Sequence, residues 1–541
     1  MSGFTGTGRL VRLAVRRDRV KLLVWIAGVP AVTAATVASV TSLYGTEEAR
    51  FSYALTSAGN VVARAFNGPS LGNSLGAVAY AESYFLLVLL TALLSTFTVV
   101  RHTRQNEDTG RAELLGSAVV GRYAQLAAAL ITTAAANLLT GVLLVGVFVG
   151  YGLPVAGSLA AGLSTAAVGV SFAAVAAVTA QVASSARGAN GLASAAVGLA
   201  FLLRAIGDAL GRITDDGLRV VSAWPTWLSP LGWASQVRPF DVDRWWVFLL
   251  PGAFVLAATA AAGFLAAHRD FGAGLVQVRR GPTAASRWLL SPLGLAWRLQ
   301  RPVLIGWAAG VVVMSLPMGV VGDQVDDMLR ENPAAAEVIA QLGGGAGLVD
   351  AYLSAMLLIF AWVVAGYAVQ SVLRARSEEA TGTLEGVLAG SVSRTRWLVS
   401  HLLCAWFGTV LLFLLAGSGV GLGYGLAVGD VARELPRMAG AALVHVPAAA
   451  VLAGVVVVFF GLLPQWSVAL SWTALAACVL LGQLGELLEL PQIVLDLSPF
   501  THVPSAPAVD PAAQPLVVLG VVALALTAAG IAFFRRRDVA L

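Results

Sequence analysis

The chain has 541 residues, of which 58% are hydrophobic and only 12% are charged, and its formal net charge is +5. Soluble globular proteins carry about 25% charged residues, so this composition argues against a soluble enzyme. The abundance of apolar residues equally excludes a disordered chain. Two cysteines in apolar runs and five scattered histidines offer neither a disulfide framework nor metal-ligand spacing, so no metal site is expected. We therefore expect an all-α polytopic membrane protein.

Twelve apolar segments are long enough to cross the hydrocarbon core, which takes about 20 residues in a helix. In chain order they cover residues 22–44, 79–100, 123–151, 155–182, 188–211, 245–267, 303–321, 349–373, 397–425, 438–463, 466–488 and 514–534. The short turn at Gly152–Pro154 predicts that the third and fourth spans are antiparallel neighbours.

The distribution of arginine predicts the orientation of these spans. Basic residues cluster before the first span and again at Arg535–Arg537, after the last. Because loops rich in arginine and lysine stay in the cytoplasm, both termini are expected there, and an even number of spans agrees with this. The first apolar run is long and eleven more follow, so we interpret it as an uncleaved anchor. The expected location is the plasma membrane, with multiple passes.

The chain is predicted to be a tandem repeat of two six-span halves, residues 1–285 and 286–541. Four groups of residues recur in the same order: Arg16, Arg19, Trp25 and Gly28 match Arg298, Arg301, Trp307 and Gly310; Glu107, Thr109, Gly110, Glu113 and Arg122 match Glu379, Thr381, Gly382, Glu385 and Arg394; Leu228-Ser229-Pro230 matches Leu497-Ser498-Pro499; and Arg269-Asp270 matches Arg537-Asp538. Even span numbers make the halves parallel repeats about a pseudo-twofold axis along the membrane normal. A transport pathway would most simply follow that axis.

The loop after the second span of each half carries the most informative motif. By itself, the segment Glu378–Glu385 is either a solvated charged turn or a docking surface for a cytoplasmic partner. Its recurrence at equal spacing in both halves favours docking. Thr381 is able to cap a helix and Gly382 permits a tight turn, so that Glu385 would present its charge to a basic or amide-rich groove.

The segment Glu379–Arg394, with Ser391-Val392-Ser393-Arg394, resembles the first cytoplasmic loop of ABC-2 type export permeases. The fused two-half plan is similar to that of actinobacterial exporters of polyketide antibiotics of the tetronasin type. The resemblance implies a type V, ABC-2 exporter-like pseudo-dimer in which this loop couples to an ATPase subunit. The sequence departs from the family pattern at Ser391, where proline is frequent, and at Arg111-Ala112, where the family has Thr-Leu.

The chain has no phosphate-binding loop of the form GxxxxGK[ST], because its single lysine, Lys21, follows Val20 outside any glycine loop. ATP hydrolysis would therefore occur on a separate chain. The expected partners are two copies of an ABC ATPase carrying ATP and Mg²⁺, membrane lipid and a hydrophobic small molecule; no nucleic acid, no catalytic residue and no cofactor of this chain is expected.

Amphipathic segments precede the first and seventh spans. Arg12, Arg16 and Arg19 recur at helical spacing among leucine and valine, and Arg298 and Arg301 repeat the pattern. This arrangement predicts an interfacial helix with arginines toward lipid phosphate, although ordinary positive-inside anchoring would leave the same pattern. The family resemblance implies the connecting helix of ABC exporters.

Charged residues also occur near the ends of the fifth and eleventh spans. Arg204 and Asp208 lie four residues apart and are able to pair on one helix face, and Gly207-Asp208 is echoed by Gly485-Glu486. These residues form either a structural ion pair at the membrane interface or an outer gate.

Three functions remain open. The first is the permease subunit of an ABC exporter for a hydrophobic or amphipathic drug or antibiotic. The second is a proton-driven secondary multidrug transporter, which needs titratable groups at mid-membrane, and the sequence offers few. The third is a membrane enzyme such as a lipid-linked transferase, which needs clustered Asp, Glu or His at one face.

Overall fold

The computed structural model describes residues 3–270, 272–276, 283–331, 345–484 and 491–538. Contacts within the chain divide it into two units, Met1–Arg280 and Gly281–Leu541. Each unit is a bundle of long apolar helices connected by short helices and turns.

The first unit contains eleven α-helices and one small hairpin in its described residues. The helices are α1 Thr7–Leu43, α2 Glu47–Gly59, α3 Val61–Asn67, α4 Leu75–His102, α5 Arg104–Asp108, α6 Arg111–Gly116, α7 Ala124–Gly150, α8 Val155–Val182, α9 Ala186–Ala209, α10 Pro230–Gln236 and α11 Leu249–His268. Two 3₁₀ helices, Trp224–Leu228 and Trp245–Phe248, flank α10. Strands β1 Arg212–Ile213 and β2 Val220–Val221 pair antiparallel between α9 and α10.

Helix α8 forms the centre of the first unit and packs against α4, α7, α9 and α11. Its sequence is rich in alanine, glycine and serine, and most of its residues are buried. At the crossing with α7, a Cβ added to Gly141 would lie 2.7 Å from the carbonyl oxygen of Gly162. Membrane helices gain stability from such close packing of small residues, so the small residues of α8 explain its central place.

The second unit is described as ten α-helices and one 3₁₀ helix, Pro499–His502. The α-helices are α12 Pro292–Glu331, α13 Gly345–Val372, α14 Arg374–Ala380, α15 Thr383–Leu388, α16 Arg394–Val428, α17 Val431–Leu443, α18 Val446–Leu462, α19 Ser467–Leu484, α20 Gln492–Leu495 and α21 Ala513–Arg536.

Helix α16 forms the centre of the second unit, and two glycine stripes on it receive neighbouring helices. Gly417, Gly421 and Gly425 face α17, where a Cβ at Gly421 would lie 2.6 Å from the carbonyl oxygen of Glu434. Gly419 and Gly423 face Ser315 and Leu316 of α12. Glycine at every second position thus lets two helices approach the α16 backbone from different sides.

Among the described residues, eleven helices are long and apolar enough to cross a membrane. They correspond to eleven of the twelve predicted spans. The remaining prediction, residues 466–488, falls on α19, whose apolar part Ser467–Gly482 is shorter and whose predicted end lies outside the described residues. The prediction of a helical polytopic membrane protein is confirmed; the twelfth span stays a prediction.

The tenth predicted span, residues 438–463, begins earlier and is interrupted. The structure divides it into α17 and α18, with Val444 and His445 in a turn between them. Pro447 stands in the first turn of α18, and proline cannot donate the backbone hydrogen bond that a continuous helix needs there. The first predicted span likewise lies within the longer helix α1, which departs from helical geometry at Asp18 (φ −105°, ψ 15°).

Candidate functional site

The repeated loop motif forms the same local structure in both units, two short helices joined at a glycine. Helices α5 and α6 meet at Gly110, with φ of 69°, and α14 and α15 meet at Gly382, with φ of 73°. Both values lie in the left-handed region, which glycine enters without steric cost. The glycine, and not the threonine before it, occupies the N-cap of the second helix.

The threonines of the motif close the preceding helix. Thr381 Oγ1 donates to the Ser377 carbonyl oxygen at 2.9 Å, and Thr109 Oγ1 donates to that of Gln105 at 2.8 Å. The expectation that Thr381 caps the following helix is therefore wrong, because the left-handed glycine intervenes and the hydroxyl turns back to α14.

Glu107 belongs to a buried ion cluster in the first unit. Arg104 Nη1 donates to Glu107 Oε2 at 2.8 Å, and Arg269 Nη1, from the end of α11, donates to the same oxygen at 2.9 Å. The side chains of Arg104 and Glu107 are 0% and 6% exposed. Arg104 also donates to the backbone carbonyls of Ser184, Gly272 and Ala273. This cluster, Arg104–Glu107–Arg269, ties α5 to the end of the sixth span.

Glu379 belongs to the matching cluster of the second unit. Arg376 Nη1 lies 3.1 Å from Glu379 Oε2, and Arg537 Nη2, just past α21, lies 2.8 Å from Glu379 Oε1. The Glu379 side chain is 3% exposed. The guanidinium of Arg537 also lies 4.9 Å from the ring centroid of Phe460. This cluster, Arg376–Glu379–Arg537, ties α14 to the end of the last span.

The two glutamates of each motif therefore have different environments. Glu107 and Glu379 are internal, whereas Glu113 and Glu385 are exposed in the first turn of α6 and α15. Carboxylates at a helix N-terminus are favoured by its dipole. A partner is able to reach Glu113 and Glu385 directly, but not the carboxylates of the two clusters.

The arginines that follow the motifs also differ. Arg122 is exposed. Arg394 is half-buried, and its Nη1 donates to the Arg537 carbonyl oxygen at 2.9 Å. Arg394 thus adds a second connection between the loop of the second unit and the end of α21.

Further polar contacts fix each loop to its bundle. In the first unit, Asp108 Oδ2 accepts from the backbone N–H of Ala186, at the start of α9, at 2.6 Å. In the second unit, Glu378 Oε2 lies 3.3 Å from Trp397 Nε1 and 3.4 Å from His401 Nε2, both on α16. Each loop is therefore held by more than one long helix.

The amphipathic segments before the first and seventh spans each contain a buried polar residue, at positions that correspond in the predicted repeat. Asp18 of α1 contacts Arg101 Nε at 3.0 Å and His102 Nε2 at 2.9 Å. Gln300 of α12 lies 3.1 Å from His401 Nδ1 and also receives the Ser371 hydroxyl. The arginines predicted to face the membrane surface are all exposed: Arg12, Arg16, Arg19, Arg298 and Arg301. Sequence patterning found these arginines but not the two buried anchors.

Arg204 and Asp208 form a fully buried pair at the end of α9. Arg204 Nη1 and Asp208 Oδ2 are 3.5 Å apart and both side chains are 0% exposed. Asp208 Oδ1 accepts from Thr226 Oγ1 at 2.9 Å, and Arg204 Nη2 donates to the Phe66 carbonyl oxygen at 3.0 Å. Glu486, the other candidate gate residue, lies outside the described residues. The Arg204–Asp208 pair therefore joins α9 to the segments around it.

Sequence reasoning missed Arg104 and Arg376, the partners of the internal glutamates. Both stand three residues before the glutamate, a spacing that brings side chains together on a helix. The recurrence of Arg269-Asp270 as Arg537-Asp538 was visible in the sequence, but its contact with a loop about 160 residues away was not. Among the described residues, no three His, Cys, Asp or Glu side chains gather as a potential metal site.

Together, the long apolar helices define a helical polytopic membrane protein. A family model described as "Multidrug efflux system permease Rv1217c, C-terminal domain" matches residues 289–535. The chain is also 42% identical over 542 residues to the multidrug efflux system permease protein Rv1217c of Mycobacterium tuberculosis, an alignment that covers 99% of this chain and 96% of the relative. The chain belongs to this family of multidrug efflux system permeases.

Proposed function

We propose that the chain is the membrane permease subunit of an ATP-driven, ABC-2 type exporter that moves a hydrophobic or amphipathic drug or antibiotic out of the cell. The name of the relative supports the drug-efflux part of this proposal. The resemblance of the Glu379–Arg394 loop to ABC-2 permeases and of the chain to tetronasin-type exporters supports the rest. In this proposal the chain lies in the plasma membrane with both termini in the cytoplasm.

The observation that supports the proposal most is that the two glutamates of each loop have different environments, one exposed and one buried. Glu113 and Glu385 are exposed on short helices, and directly behind them Glu107 and Glu379 are fixed to the last span of the same unit. A docking element needs an accessible charge and a rigid connection to the moving helices, and each loop has both. Two ATPase subunits, one for each repeat, would supply ATP and Mg²⁺.

The alternative of proton-driven transport finds less support. The buried carboxylates of the described residues include Asp18, Glu107, Asp208, Glu378, Glu379 and Glu434. Each lies within ion-pair distance of an arginine or a histidine. These carboxylates therefore serve contacts between the chain's own elements, which is the role expected of structural ion pairs.

Charge reversal at the exposed glutamates tests the proposal. The permease should be co-expressed with a separately encoded candidate ABC ATPase and purified by a tag on the permease. Glu113→Arg together with Glu385→Arg is expected to abolish ATPase co-purification and stimulated ATP turnover. Glu48→Arg is the matched control, because Glu48 is also an exposed first-turn glutamate, on α2. Unchanged association and turnover in the double variant would rule out docking at these helices.

A further inference from the structure

The first unit contains a cavity of about 400 Å³ beside its repeated loop. Most of the lining comes from the N-terminal part of α1, helix α6 and the start of α7, and His102 of α4 and Asn106 of α5 complete it. Most of its wall is apolar and comes from Leu10, Leu13, Ala14, Leu114, Leu115 and Ala128. The volume falls within the range of small-molecule sites, about 300–1,000 Å³.

Two arginines from different helices also line this cavity. Arg17 comes from α1, one helical turn beyond Ala14, and Arg111 is the first residue of α6. Arg17 is oriented by Asn106, whose Oδ1 accepts from its Nη1 at 2.8 Å. The described lining includes no carboxylate, and the nearby Asp18 is already in contact with Arg101 and His102. The cavity is therefore apolar with a positive edge.

The corresponding place in the second unit is filled by side chains. At the repeat offset of the loop motif, Gln125 and Ala129 of the cavity correspond to Trp397 and His401. Both are 2% exposed, and their rings pack edge to face with centroids 5.0 Å apart and an interplanar angle of 61°. Contacts with Glu378 and Gln300 hold them there.

The second unit also lacks the two positive charges. Since Arg16 and Arg19 correspond to Arg298 and Arg301, Arg17 corresponds to Leu299. Arg111 corresponds to Thr383, one residue after Gly382. The second unit thus lacks both the cavity and its two arginines. This joint absence is expected if the cavity and the arginines bind one ligand in the first unit and are not needed for packing of the bundle.

We propose that this cavity binds an anionic phospholipid, with its phosphate against Arg17 and Arg111 and part of an acyl chain among the leucines and alanines. The exposed arginines Arg12 and Arg16 on the same helix suit a position at the membrane surface, where the cytoplasmic leaflet supplies anionic lipid. Arginine recognises phosphate through paired, charge-assisted hydrogen bonds. A cationic drug would instead be repelled by this edge.

A lipid in this cavity would act on the loop directly. Leu114 and Leu115 belong to α6, the helix that also carries Glu113. The bound chain would support α6 from beneath and fix the position of Glu113. The inference depends on the cavity and its charges, and it stands whether or not α6 docks an ATPase.

Native mass spectrometry of the full-length protein in detergent tests the proposal. The protein is titrated with phosphatidylglycerol or with phosphatidylcholine of the same chains. The wild type is expected to retain one phosphatidylglycerol and to bind phosphatidylcholine more weakly. Arg17→Gln with Arg111→Gln should weaken phosphatidylglycerol binding at least about tenfold, since each lost charge-assisted bond contributes at least that factor. Arg535→Gln with Arg536→Gln removes the same charge from exposed positions at the end of α21 and should change it little.

A second variant fills the cavity with the residues of the other repeat, Gln125→Trp with Ala129→His. It should eliminate the retained lipid while Arg17 and Arg111 remain. If this variant is unstable in a thermal unfolding assay, the arginine variants decide alone. Equal binding of the two lipids, equal loss in the Arg535/Arg536 control, or unchanged retention in a stable filled variant would each overturn the proposal.

Discussion

Replacing Arg537 with glutamine is expected to release α14 and α15 from the end of the last span. Arg537 Nη2 lies 2.8 Å from Glu379, whose side chain is 3% exposed. The same guanidinium stacks over Phe460 and Phe534, 4.9 and 5.3 Å from their ring centroids. Glutamine keeps a polar group of moderate size but removes the charge and both ring contacts.

The surroundings of Arg537 determine how much local stability the substitution should remove. Removing one partner of a buried ion pair typically costs about 3–5 kcal/mol. Arg537 is 15% exposed, and Arg376 remains 3.1 Å from Glu379 in the variant. We therefore expect a loss of stability at the lower end of this range, about 3 kcal/mol. At about 1.4 kcal/mol for each factor of ten, the opening equilibrium of the loop should rise about 100-fold.

Hydrogen exchange followed by mass spectrometry measures this opening. Peptides covering residues 374–388 should exchange about 100-fold faster in Arg537→Gln, in line with the 3 kcal/mol loss of local stability. Arg536→Gln is the matched control, because Arg536 is adjacent and exposed, and it should leave these peptides unchanged. If the two variants exchange alike, the buried cluster does not hold the loop and the reasoning fails.

Two further substitutions test other buried and strained positions. Asp208→Asn leaves the fully buried Arg204 without its counter-charge and should cost about 3–5 kcal/mol, seen as a large fall in the unfolding temperature; Asp216→Asn, on the exposed hairpin, should change it little. Gly382→Ala should cost about 1 kcal/mol from backbone strain, because φ is 73° while no atom lies within 4 Å of an added Cβ. Exchange of residues 374–388 checks this, with Gly386→Ala, equally open but helical, expected to be neutral or stabilising.

Much of the fold could be predicted because span length and hydropathy are properties of local sequence. The apolar runs located eleven helices, and the arginine pattern located the exposed face of the interfacial segments. The interruption between α17 and α18 was also available in principle, since Pro447 lies inside the predicted tenth span. It was missed because apolar residues continue on both sides and hydropathy does not register a missing hydrogen-bond donor.

The candidate site could be located from the sequence but not resolved into parts. The repeat identified Glu107, Glu113, Glu379 and Glu385 together, as if all four faced solvent. Their separation into internal and exposed pairs depends on arginines at the far end of each unit, which only the packed structure brings near. The sequence around a charged loop residue does not show whether that residue is solvated, pairs with a partner protein or pairs with a distant residue of its own chain.

Because the exposed and buried glutamates have different roles in the proposed transport cycle, substitutions that affect them should have different effects. In that proposal, a partner pressing on Glu385 would move α15, which Gly382 connects to α14. The contact of Glu379 with Arg537 would then pass the movement to the end of α21, and the contacts of Glu378 with Trp397 and His401 would pass it to α16. Glu113→Arg together with Glu385→Arg should therefore abolish ATPase binding, whereas Arg537→Gln should retain binding and lose the ATP turnover that the permease stimulates. Loss of binding in both variants would mean that the buried cluster shapes the docking surface and does not transmit its movement.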